Sequence, residues 1–209
     1  MAAVCLSWFE PERSENTSRD IGGFRAFAAD VKWIAAYQAW QNRDETRMKQ
    51  ELAWATRLAP GNVIYWLEGA RMLGYDVAAW RRGDLVEADD ISQINQTAFE
   101  LARAHLSAGE VCHPERAALP IEEAVMQLRL VGNVASAEQA LARAQQCADA
   151  PYFVARVRAE LLIKLGRERE ALTLLESEIE RLPRSDPRAL VDVVEQRIMD
   201  LRLRLGEAG

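Results

Sequence analysis

Three observations predict an all-α protein with no sheet. Apolar residues recur at three and four along most of the chain, whereas alternating β-branched runs bounded by turns do not occur. Cap and breaker residues such as Asp44, Pro60-Gly61 and Asn62 divide these runs into segments of helical length. In the second half, glycine, small and bulky residues repeat at a fixed spacing, the mark of stacked helix pairs.

At 209 residues the chain suits one domain, or a short stack of repeats around a continuous core. Residues 1–22 are expected to be a flexible N-terminal segment, with the polar stretch EPERSENTSRD (10–20) as a linker. Residues 23–209 then form a single helical domain, with a Trp-rich, divergent first half (23–108) and a more regular second half (119–205).

The first helix follows Gly22-Gly23 and ends near residue 41. Phe24, Phe27, Val31, Ile34 and Gln38 mark one stripe, and Trp33, Tyr37 and Trp40 an adjoining one. Asp44 caps a second helix, whose Met48, Leu52, Ala55 and Leu58 form its apolar face before Pro60-Gly61. Asn62 caps a third, running to about Gly74. From Tyr75 to Asp90 the pattern is irregular, which reads as an insertion with room for one short helical turn. A helix over about 91–106 follows, and then the loop SAGEVCHPERAALP, where Pro114 and Pro120 discourage helix. Further helices are predicted at about 121–131, 134–148, 152–165, 168–182 and 187–205.

Gly132 and Gly166 stand 34 residues apart, as do Ala137 and Ala171, and Leu141 and Leu175. Each glycine ends the first helix of a pair, each alanine lets two helices approach, and each leucine fills the space between neighbouring pairs. The stretch EREALTLLESEIERLP, after LLIKLG, resembles the second helix of a tetratricopeptide repeat (TPR). Ala159, Leu162, Gly166, Ala171, Leu175 and Pro183 stand at signature places. The unit with Gly132, Ala137, Leu141 and Ala144 resembles a weaker copy. In the first half, ELAWATRLAPGNVIYW is similar through Leu52, Ala55, Leu58, Pro60 and Trp66, although Met48 replaces the family's small residue. FRAFAADVKWIAAYQAW and ADAPYFVARVRAELLIKLGR also resemble bacterial TPR-like proteins, some of them membrane-anchored. The resemblance implies a right-handed stack of antiparallel helix pairs, an α-solenoid, and brings no activity with it.

Net charge is −6, from 26 basic and 32 acidic residues, with no basic stripe of the kind that binds nucleic acid. No window approaches the roughly 20 apolar residues of a membrane span. As given, the chain reads as cytoplasmic; an upstream signal anchor would make it periplasmic or membrane-anchored. Cys5, Cys112 and Cys147 form no C-x-x-C motif, so reduced thiols are expected. His105, Cys112, His113 and Cys147 are the nearest approach to a metal set, but adjacent side chains such as Cys112 and His113 tend to point apart, so no zinc is expected. The acidic pairs Asp89-Asp90 and Glu122-Glu123, like Glu168 with Glu170, read as solvated or capping carboxylates. Phosphate loops and hydrolase motifs are missing, so neither a cofactor nor catalysis is expected.

All six tryptophans, and twelve of fifteen aromatics, lie in the first 80 residues. Their helical spacing favours a packed core, with Trp66 buried and Trp80 more exposed and available to a partner. In the repeat register the concave face carries Glu122, Met126 and Arg129 from one helix, and Arg156, Glu160 and Ile163 from the next. That mixture suits a protein or peptide segment of amphipathic character. It differs from the lysines and asparagines with which family members clamp a carboxylate terminus. A non-catalytic protein-binding scaffold is therefore the leading expectation; an envelope-associated structural protein and an enzyme with an unrecognised site are the alternatives.

Overall fold

The computed structural model describes residues 15–83 and 88–207, and every regular element among them is helical. Cys5, Trp8 and residues 84–87 of the expected insertion lie outside the described residues. The helices are α1 (Glu15–Gln41), α2 (Glu45–Leu58), α3 (Val63–Arg71), α4 (Val77–Arg82) and α5 (Ala88–Cys112), then α6 (Ala118–Met126), α7 (Val134–Gln146), α8 (Phe153–Lys164), α9 (Glu168–Ile179) and α10 (Val191–Leu205). Most pack mainly on their neighbours in sequence, as in a stack of helix pairs, while α3 packs chiefly on α5.

Local chemistry sets most of the boundaries. Asp44 accepts from the Arg47 amide, Asn62 from the Ile64 amide and Asn133 from the Ser136 amide, each satisfying a free N–H of the first turn. Gly132 and Gly166 take the left-handed conformation, with φ of 75° and 72°, which glycine adopts without a Cβ clash.

Several boundaries differ from the sequence reading. Helix α1 begins at Glu15, so residues 15–20 of the expected linker are helical and the helix runs through Gly22-Gly23. Rather than stopping near Gly74, the third helix passes through a π-helical turn, Met72–Asp76, into α4. A second such turn, Gln127–Val131, carries α6 to the end near 131 that the sequence reading gives it. A π turn adds a residue to the local period and breaks the 3.6-residue pattern, which at Met72–Asp76 hides the continuity. Helix α5 extends to Cys112, and Pro120 sits in the first turn of α6, where a missing N–H costs nothing.

The core is continuous because single helices serve two neighbours. Helix α6 gives Leu119 and Met126 to the cluster around Trp66, Leu73 and Leu106, and Ala124 to the cluster around Leu141 and Val154. Helix α8 gives Val154 and Leu161 to that second cluster, and Ala159 and Leu162 to the cluster of Leu172, Val194 and Leu201. Ala137 and Ala171, the repeat's small residues, are both fully buried. Polar links join residues 33 apart: Arg143 to Glu110, Arg116 to Asp149, and Gln145 to Glu178. These tie successive units at nearly the spacing of the sequence repeat.

Trp66 belongs to the core, held by its Nε1 donating to the Pro60 carbonyl at 2.9 Å and by the tilted His105 ring 5.0 Å away. A Cβ built on Gly109 would lie 2.9 Å from Trp66 Cβ and Cγ, so α3 and α5 meet where glycine leaves room. Trp80 is half-buried against the same cluster and thus more exposed than Trp66.

Candidate functional site

Helix α10 packs on α9 and faces α8 across a mostly apolar cavity of about 600 Å³. That volume lies in the ordinary range for ligand sites. Val157 of α8 and Val193 and Val194 of α10 line it, and Arg156, Glu160, Asp192, Gln196, Arg197 and Asp200 add polar groups. Val157 and Val193 are both exposed although apolar.

Arg197 crosses from α10 to Glu160, its Nε donating to Oε1 at 2.6 Å and its Nη2 to Oε2. Such a two-pronged pair fixes both side chains in one plane. The hydrogen bonds it donates to Glu160, reinforced by that carboxylate's charge, push the Arg197 guanidinium above its ordinary value. Arg156 differs: its Nε is buried and has no acceptor among the described residues. A buried donor without a partner is uncommon, and this one, shut off from solvent, is not itself open to a ligand in the cavity.

Of the six concave-face residues expected from the repeat register, the structure brings Arg156 and Glu160 together in this cavity. Ile163, half-buried, packs against the adjoining core. Arg129 is exposed on the π turn after α6. Met126 is fully buried and offers nothing to a partner. Its sulfur lies 3.2 Å from where a Gly74 Cβ would stand, so Met126 fills the space that glycine leaves. Glu122 is buried too, accepting from Arg71 Nη2 at 2.6 Å and Nε at 3.0 Å. Both corrections have one cause: α6 lies against α3 and α5, which cover the face that the repeat register leaves open. Beside Glu122, burial first and then that carboxylate push the Tyr75 hydroxyl up to about 12. Trp80 is not among the residues of the α8/α10 cavity.

Sequence reasoning missed Asp192, Val193, Arg197 and Asp200, because α10 follows a short 3-10 turn and its register against α8 is not set by the repeat. The available signal was the stripe Val193, Gln196 and Asp200 at helical spacing.

The histidines are occupied elsewhere. His105 Nε2 lies 3.2 Å from the Tyr65 carbonyl and His113 Nε2 lies 2.9 Å from that of Pro60. Cys112 is exposed, while Cys147 Sγ lies 3.6 Å from the Pro114 carbonyl. Among the described residues no three His, Cys, Asp or Glu side chains converge as metal ligands. Among them also, no helix is long and apolar enough to cross a membrane.

The fold and cavity define a class, an all-helical stack of helix pairs with an apolar cleft between neighbouring units. A scan against known protein families finds no match, and a search of curated proteins finds none either. Among solved structures, the crystal structure of yeast Tom70 is similar at a TM-score of 0.38 and 14% identity, over 95% of this chain and 45% of that chain. This chain thus spans under half of that protein's length, and a likeness so loose carries no argument about function.

Proposed function

We propose that this protein is a non-catalytic, TPR-like scaffold that binds a short peptide segment in the cleft between α8 and α10. The exposed apolar pair Val157 and Val193, set in a cavity whose polar lining carries both signs of charge, is the observation that carries the reading. An apolar side chain of the peptide covers Val157 and Val193, and a carbonyl or carboxylate beside it accepts from the lining arginines. Glu160, Asp192 and Asp200 oppose a segment that is uniformly acidic, while Arg156 and Arg197 oppose one that is uniformly basic. The ligand class is therefore an amphipathic segment with an apolar anchor.

A displayed library of random peptides, selected against the full chain, tests this. Selected peptides should carry an apolar residue next to an acceptor and lose roughly tenfold in affinity, about 1.4 kcal/mol, on Val193→Asp or Arg156→Ala. Circular dichroism should show unchanged helicity. Peptides that bind both variants as they bind the parent place the site elsewhere and refute the cleft.

A further inference from the structure

Helix α1 is apolar on two opposite sides, and the described residues cover only one. Ala29, Ala36 and Ala39 are buried, with Trp33 and Trp40 beside them. The other side carries Phe24, 72% exposed, Phe27, 66%, Val31, 47%, and Ile34, 56%. No described residue covers them to a buried state, and the sequence reading had placed this same stripe on the helix's apolar face.

The spacing is specific. Phe24, Phe27, Val31 and Ile34, continued by Gln38, alternate three and four apart, which is the a/d seam of a two-helix coiled coil. The nearby charges lie off the seam: Lys32 pairs with Glu51 at 2.9 Å and Asp30 accepts from the Tyr65 hydroxyl. An uncharged seam of this kind is made for another helix.

We propose that the helix is α1 of a second copy, crossing antiparallel about a twofold axis between Phe27 and Val31. In that register Phe24 lies against Ile34 of the second copy and Phe27 against its Val31, so each ring meets a smaller aliphatic group. The pairing is self-complementary, as a closed twofold interface requires. At roughly 200 Å² for a phenylalanine side chain, the exposed parts of Phe24, Phe27, Val31 and Ile34 present on the order of 450 Å² per copy. Joining two copies buries up to about 900 Å², the size of a weak, reversible interface, so the dimer forms at micromolar concentrations rather than permanently. This surface lies on a different helix from the α8/α10 cleft, so dimerisation and peptide binding are separable.

Sedimentation equilibrium on the full chain tests the proposal. The parent should show a mass approaching twice 23.5 kDa. Phe27→Glu with Ile34→Glu should weaken the dimer by roughly a hundredfold. Both side chains are exposed in the single chain, so circular dichroism should be unchanged. Oxidising a mixture of Phe27→Cys and Val31→Cys chains should give a disulfide joining the two variants, mapped by peptide analysis, faster than either alone gives one. A parent that stays monomeric at about 100 µM overturns the proposal. So does a dimer that survives the double Glu variant, or cross-links that show a parallel register.

Discussion

Gly109→Ala and Gly23→Ala add the same methyl group to helix interiors and should act in opposite directions. At Gly109 the new Cβ would stand 2.9 Å from Trp66 Cβ and Cγ, roughly 0.6 Å inside an ordinary carbon contact of about 3.5 Å. These are the root atoms of the indole, so rotation about its outer bonds cannot move them away. Its Nε1 is tied to Pro60 and its ring lies against His105. Overpacking of this kind costs about 1–3 kcal/mol, whereas replacing a helical glycine by alanine returns up to about 1 kcal/mol. The clash wins, and a net loss of about 1 kcal/mol should lower the melting temperature by about 2–4 °C. Gly23 is exposed in α1 with nothing within 4 Å of a built Cβ, so only the propensity gain acts and stability should rise by up to about 1 kcal/mol. Urea denaturation of the two variants beside the parent measures both. A Gly109→Ala protein as stable as the parent would falsify the close approach of α3 and α5.

Ala137→Leu and Ala171→Leu should each destabilise by about 1–3 kcal/mol, because both alanines are fully buried between helices; unchanged denaturation midpoints would remove the repeat register. Stability should also depend on His105 in mild acid. Burial, only partly offset by the hydrogen bond to Tyr65, holds its imidazole below the ordinary 6.5. The unfolded chain therefore takes up the proton first, so the contribution is complete above 6.5 and is lost as pH falls through the depressed folded value. Melting temperature should drop as pH falls below 6.5, and His105→Gln should flatten that part of the profile. A His105→Gln profile parallel to the parent's would count against it.

Residues 23–41 show how far the sequence reaches. Periodicity names the helix, but Ala29, Ala36 and Ala39 on one side and Phe24, Phe27 and Ile34 on the other are both apolar, and nothing local says which is covered. The structure buries the alanine side, because small residues let α2 come close while Trp33 stacks on Tyr65 at 4.9 Å. The same limit applied to Met126, whose place under α3 and α5 depends on the space at Gly74, 52 residues away in sequence.

The helical class, the caps at Asp44, Asn62 and Asn133, and the breaks at Gly132 and Gly166 were determined by the sequence itself. Each depends on groups within a turn or two, where a side-chain oxygen finds a free N–H or a missing Cβ permits positive φ. Tertiary structure alone decided that Glu122 turns inward to Arg71, that Arg197 reaches Glu160 across the cleft, and that the phenylalanines of α1 face outward. Those outcomes rest on which distant surfaces fit together, and shape complementarity between helices far apart in sequence leaves no periodic trace in either one.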